Sequence, residues 1–261
     1  MTDPIKTHLE NGILTVTIDR PKANAIDAAT SRVMGEIFVA FRDDPAQRVA
    51  ILTGAGERFF SAGWDLKAAA GGESPESDYG AGGFGGITEL FDLKKPVICA
   101  MNGHAVGGGF ELAMAADLLV VAETAEAWLP EVRLGILPDA GGVLRLPRLL
   151  PRALALEVLM AGRRLTAAEG LQHGLYNRVV PAGETLAAAR ALAEELLLAA
   201  PLSLAGLKEI LNGTEDLSVA EATRKMRGQA FPTYRQALVS EDAQEGPRAF
   251  AEKRTPAWKG R

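Results

Sequence analysis

Cysteine is nearly absent from this 261-residue chain: only Cys99 is present, inside the apolar run Val97–Ala100. A single thiol excludes an intrachain disulfide and a cysteine-based metal site, and its apolar neighbours mark a buried core position rather than a reactive one. Histidine is scarce too. His8, His104 and His173 are scattered without metal-ligand spacing, so no metal is expected. The net charge is −5, and no Lys/Arg-rich block exists, which argues against a nucleic-acid partner. No apolar run approaches the ~20 residues that span a bilayer. The opening stretch Met1–Lys6 has neither the apolar centre of a signal peptide nor the Arg-rich character of a transit peptide. A cytoplasmic protein with no membrane partner is therefore expected.

Several catalytic signatures are also missing. There is no Gly-x-Ser-x-Gly elbow and no Gly-x-Lys-Ser/Thr phosphate loop. Gly54-Ala55-Gly56 follows a strand-like run, but Phe59 stands where a dinucleotide loop needs its third glycine.

What is present is an α/β pattern. Ile13 to Ile18 alternates as a strand does, and Asp27 is placed to cap a helix through about Phe41. Val49–Thr53, Val97–Met101 and Leu118–Ala122 are short buried strands. From about residue 152 the pattern turns helical. Segments 152–162, 166–173, 183–199, 201–212, 218–240 and 241–254 are expected as helices, with Thr166 and Glu169 forming a capping box. No tandem repeat of fixed period is visible. The low-complexity stretch 71–86, rich in glycine, is either a flexible surface loop or a lid over a pocket.

Three glycine-bearing segments carry the chemistry. Phe60–Leu66 follows the strand at 49–53, and Asn102–Glu111, with Gly107-Gly108-Gly109, follows the strand at 97–101. Leu129–Gly142 comes next, with Pro130-Glu131 and Gly141-Gly142. Glycine lets backbone N–H groups approach a ligand closely, and a helix N-terminus favours developing negative charge. A thioester enolate needs such donors. Taken singly, Glu111 is explained by the helix dipole and Glu131 by a solvated loop. Set beside two glycine turns after successive strands, both become candidate acid/base groups.

These segments resemble the crotonase (enoyl-CoA hydratase/isomerase) superfamily, over about Ile13 to Lys253. Arg20–Ala25 looks like its first coenzyme A loop. Phe60–Leu66 and Gly107–Glu111 look like its oxyanion-hole segments, and Glu245-Gly246 with Phe250–Arg254 looks like its C-terminal signature. The resemblance implies a spiral of repeated ββα units over 1–195 and a helical trimerisation region over 196–261, assembled as a homotrimer or homohexamer. It assigns the oxyanion hole to the N–H groups of Trp64 and Gly108. It places coenzyme A near Lys22, Ala23, Ala25, Ala62, Asp65 and Leu66, with Lys253 a further candidate, acting across a subunit interface. It makes Glu111 and Glu131 the catalytic pair. No cofactor is implied beyond the coenzyme A of the substrate.

Retention of both glutamates favours addition or loss of water over a double-bond shift. For dehydration, Glu131 is expected to remove the α-proton and Glu111 to assist departure of the β-hydroxyl. Trp64 and the stretch Asp139–Leu146, where short-chain hydratases usually begin Gly-Ala-Gly-Gly, resemble a branch that interconverts L-carnitinyl-CoA and crotonobetainyl-CoA. The trimethylammonium group of those substrates suits aromatic side chains, and Trp64, Tyr79, Phe84 and Trp128 are the candidates. A general short-chain enoyl-CoA hydratase and a non-catalytic acyl-CoA-binding protein stay open as alternatives.

Overall fold

The structure, a computed structural model, describes residues 3–261; of the opening stretch, Met1 and Thr2 lie outside the described residues. Strand β1 (Ile5–Glu10) pairs antiparallel with β2 (Ile13–Ile18). Helix α1 (Ala28–Asp43) follows, and Asp27 caps it as expected, its side chain accepting from Thr30 N. Next come β3 (Val49–Gly54), β4 (Phe59–Ser61) and the short α2 (Leu66–Ala70). The same order recurs as β5 (Val97–Met101), β6 (His104–Val106) and α3 (Gly108–Met114). It recurs again as β7 (Leu118–Ala122) and β8 (Glu126–Trp128), closed by a 3₁₀ turn at Glu131–Arg133.

This is a repeat in space without a fixed period in sequence. The first strand of each unit joins one sheet, ordered β1-β2-β3-β5-β7 and completed by β10 (Arg178–Val180). The second joins another, ordered β4-β6-β8 and completed by β9 (Leu165–Thr166). Segment 71–96 separates the first two units, so the repeat never shows as a regular interval. Several of these strands are two or three residues long, too short for alternation to reveal, and β1 is exposed at every position after Ile5.

Between β8 and β10 lie α4 (Gly142–Leu149), α5 (Arg152–Ala161) and α6 (Ala167–Gln172). The capping box of α6 is present, with Thr166 Oγ1 accepting from Glu169 N and the Glu169 carboxylate accepting from Thr166 N. Beyond β10 run α7 (Thr185–Leu197), α8 (Pro201–Thr214), α9 (Val219–Arg227), α10 (Pro232–Val239) and α11 (Glu241–Ala251). The single helix expected over 218–240 is thus two. Gly228 leaves the helical region with ψ −162°, and Pro232 restarts the chain at a first-turn position where its missing N–H costs nothing.

By compactness the chain divides into one unit of residues 1–91 and 97–193 and a second of 92–96 and 194–261. The first unit has a large apolar core. Val16, Ile18, Phe38, Phe41, Ile51, Leu52, Phe60, Ile98, Cys99, Met101 and Phe110 are fully buried there. Each such aliphatic or aromatic side chain contributes roughly 1.5–3 kcal/mol by leaving water. Burial pushes the Cys99 thiol upward, in keeping with an inert core position. In the second unit, Glu245 pairs with Arg254 at 3.0 Å and accepts from Ala257 N at 2.9 Å, so the C-terminal signature anchors the chain end to α11. The Arg254 partnership holds the Glu245 carboxyl down at about 2. Among the described residues no single helix is long and apolar enough to cross a membrane.

Segment 71–86 is not a free loop. Its last five residues, Gly82–Gly86, are buried against α1. Gly86 has φ 79°, and a Cβ there would lie 2.4 Å from Gly35 N and 2.5 Å from the Met34 carbonyl carbon. Backbone cannot give way as a side-chain tip can. Gly86→Ala is therefore expected to cost about 2–4 kcal/mol and to open the segment to protease. Thermal melting and limited proteolysis check this; an unchanged melting temperature would refute the close packing.

Candidate active site

The short sheet sets the site. Strands β4, β6 and β8 are parallel neighbours, with Ser61 opposite Ala105 and Ala105 opposite Ala127. The three glycine-bearing segments leave the same ends of adjacent strands, where α/β proteins commonly place ligands. Residues far apart in the chain, Trp64, Gly108, Glu111 and Glu131, thereby line one cavity of about 140 Å³. Pro75, Tyr79, Phe84, Glu89, Ile136, Leu137, Asp139 and Ala140 complete its wall.

The two expected oxyanion donors are held by different means. Trp64 forms a parallel bridge with Ile26, in which Ile26 N donates to Gly63 O at 2.8 Å and Asp65 N to Ile26 O at 2.9 Å. That pattern leaves the Trp64 N–H on the other side of its strand. Gly108 opens α3, where a first-turn N–H has no acceptor within the helix. Gly107 makes the turn possible. Its φ of 55° and ψ of −128° suit glycine, and a Cβ there would lie 2.5 Å from Glu131 Oε1. The Glu131 carboxylate therefore sits directly over the turn that carries Gly108.

Glu111 is 2% exposed and Glu131 is 7% exposed, so both carboxyls are withdrawn from water. Glu111 Oε1 accepts from Gly142 N at 2.7 Å, which ties the first turn of α3 to the start of α4. Glu131 Oε2 has no hydrogen-bond partner although it is buried. Burial is the chief reason the Glu111 carboxyl is pushed up to about 8; the Gly142 bond opposes it, and the nearby Glu131 and Asp139 charges add to it. Burial likewise pushes Glu131 up to about 7, with Asp139 adding. Near neutral pH such a pair holds one proton ready to give and one carboxylate ready to accept.

The expected coenzyme A residues are brought together at one edge of this unit. Ala62 N donates to Ala23 O at 2.9 Å, and Arg20 bonds Ala25 O at 2.5 Å and Asp27 at 2.6 Å. Asp65 lies 3.4 Å from Arg20 and caps α2. Leu66 and Lys22 are exposed beside them. Asn24, buried with φ 52°, knits the loop to Ala55 O and Phe59 O at 3.0 and 2.9 Å. Lys253 belongs to the second unit, just past α11, with φ 55°.

Of the aromatic candidates, Trp64, Tyr79 and Phe84 line the cavity. Trp128 does not. Its ring lies 4.2 Å from the Arg164 guanidinium and meets His104 edge-on, so it belongs to a separate stack. His104 itself is committed to structure, its Nδ1 accepting from Glu126 N. Three contributors escaped the sequence reading. Glu73 accepts from the Trp64 indole N–H at 2.7 Å and from Ala28 N at 3.0 Å, pinning the low-complexity segment to the site. Arg145 donates to Thr88 O at 2.6 Å and lies near enough to Glu111 to favour its ionised form. Asp139, noted only as a departure from a glycine, acts on both glutamates.

A profile of the Enoyl-CoA hydratase/isomerase family matches residues 8–261. The chain belongs to the enoyl-CoA hydratase/isomerase family. It is 58% identical over 261 residues to a carnitinyl-CoA dehydratase of Proteus mirabilis, with 100% of both chains covered. A solved enoyl-CoA hydratase from Mycobacterium tuberculosis matches with a TM-score of 0.91 at 38% identity, covering 99% of each chain. A solved carnitinyl-CoA hydratase from Mycobacterium avium matches at 0.77 and 41%, covering 100% of each. The expected crotonase-like fold is therefore the fold of this enoyl-CoA hydratase/isomerase family member. Its chemistry is that of an enzyme acting on coenzyme A thioesters.

A raised carboxyl also bears on stability. Between 4.5 and about 8, folded Glu111 holds a proton that the unfolded chain has released, so its burial destabilises the fold increasingly as pH rises through that window. Glu111→Gln keeps an acceptor for Gly142 N and removes the penalty. It is expected to stabilise by roughly 2–3 kcal/mol near pH 8 and by little near pH 5. Denaturant melts at the two pH values check this; an equal effect at both would contradict burial as the cause.

Proposed function

We propose that the chain catalyses the reversible dehydration of L-carnitinyl-CoA to crotonobetainyl-CoA. The observation that carries the proposal is one cavity holding two buried glutamates, two N–H groups without a protein acceptor and three aromatic side chains. The names of the Proteus mirabilis and Mycobacterium avium relatives support the same acyl group.

In this proposal the Trp64 and Gly108 N–H groups receive the thioester oxygen. Glu131, whose Oε2 is left without a hydrogen-bond partner, takes the α-proton, and the C–H electrons move into the enolate. As the enolate re-forms the carbonyl, the bond to the β-hydroxyl breaks and Glu111 supplies the proton that lets it leave as water. Glu131 ends protonated and Glu111 ionised, and proton exchange through solvent water resets them. Hydration runs the same steps backward. Coenzyme A enters as part of the substrate, near Lys22, Ala23, Ala25, Ala62, Asp65 and Leu66, and the reaction calls for no further cofactor.

Assembly as a homotrimer or homohexamer belongs to the same proposal. It is supported by exposed Leu207, Leu211, Val219, Val239 and Phe250 in the second unit, an unusual apolar display for an isolated helical surface. A cytoplasmic setting is supported by the lone, buried thiol of Cys99.

A panel of enoyl- and β-hydroxyacyl-CoA thioesters tests the reading. Crotonobetainyl-CoA is expected to exceed crotonyl-CoA in kcat/KM; the reverse order would leave a general short-chain hydratase and overturn the carnitine assignment. Glu131→Gln and Glu111→Gln are each expected to lower kcat by about 10²–10⁴-fold. Wild-type turnover in either would remove that residue from the chemistry and favour a non-catalytic binder.

A further inference from the structure

One charge in the cavity is left without a task by the steps above. Asp139, an exposed residue, lines the cavity in the turn before Gly141, and its carboxylate has no hydrogen bond or ion pair with any described residue. The groups that feel its charge are Glu111, Glu131 and Tyr79, all of which it makes harder to ionise. Glu89 also lines the cavity, but its charge is met by Arg145. Asp139 is thus an anion beside other acidic groups with no protein counter-charge, met only by solvent until a cation arrives.

Two further observations point to a ligand. Glu131 Oε2 is unpartnered on a side chain that is 7% exposed and lines the same cavity. Aromatic rings stand beside the anion: Tyr79 and Phe84 meet edge-on at 5.8 Å, and the Trp64 indole is held by Glu73. A quaternary ammonium cannot donate a hydrogen bond. It is recognised by ring faces around its methyl groups and by a carboxylate acting as a point charge.

We propose that Asp139 is the charge-selecting residue of this cavity, the counter-ion of the substrate's trimethylammonium group, with Trp64, Tyr79 and Phe84 enclosing its methyl groups. This rests on the carnitinyl-CoA reading and narrows its selectivity to one side chain. A neutral acyl group forgoes the attraction and leaves the anion unmet.

The test compares crotonobetainyl-CoA with its tert-butyl isostere, in which carbon replaces the ammonium nitrogen, for wild type, Asp139→Asn and Asp139→Glu. The readout is the ratio of kcat/KM for the two substrates. Wild type is expected to favour the cation, Asp139→Asn to reduce that ratio about tenfold, and Asp139→Glu to keep most of it. A ratio unchanged in Asp139→Asn overturns the proposal while the substrate reading survives. Equal loss on both substrates, with a displaced pH profile, also overturns it, because Asp139 then only tunes the glutamates. A wild type that prefers crotonyl-CoA to crotonobetainyl-CoA overturns the substrate reading itself, and this proposal with it.

Discussion

Two carboxyl groups removed from water and held around one cavity are the constraint on which the rest of the site depends. Glu111 and Glu131 cannot both be ionised cheaply there, and their burial keeps protons on them near neutrality. Every neighbouring feature bears on that pair. Gly142 N–H steadies Glu111, the turn at Gly107 leaves room for Glu131, and Arg145 and Asp139 pull the balance in opposite directions.

The pair is assembled by topology rather than by sequence proximity. Parallel neighbours β4, β6 and β8 release their following segments at the same ends, so Trp64, Gly108, Glu111 and Glu131 converge on one cavity. One wall of the cavity is the glycine-rich stretch, fastened through Glu73 to the Trp64 indole and to the start of α1.

Much of this was legible in the sequence, for physical reasons. Buried strands such as Val97–Met101 announce themselves by unbroken apolar character, and the caps at Asp27 and Thr166 by residue type. Glu111 and Glu131 stood out because glycine turns surrounded them. The short second sheet was not legible, since two- and three-residue strands carry no periodicity. Nor was the break at Gly228–Phe231, where apolar spacing runs through the gap between α9 and α10. Composition cannot tell which face of β8 Trp128 occupies, and its partner Arg164 is on a distant segment. Glu73 lay in a stretch whose composition resembles a linker, and only its two hydrogen bonds reveal its part.

The central claim is the protonation state of the two glutamates, and it can be observed without turnover. A carboxyl carbon-13 NMR titration, with each signal assigned through its glutamine variant, measures it directly. Expected are two carboxyls that keep their protons far above the ordinary glutamate value of 4.5, Glu131 ionising near 7 and Glu111 near 8. Two signals titrating together near 4.5 would show that the site does not withhold these groups from water, and would contradict the assignment of acid and base.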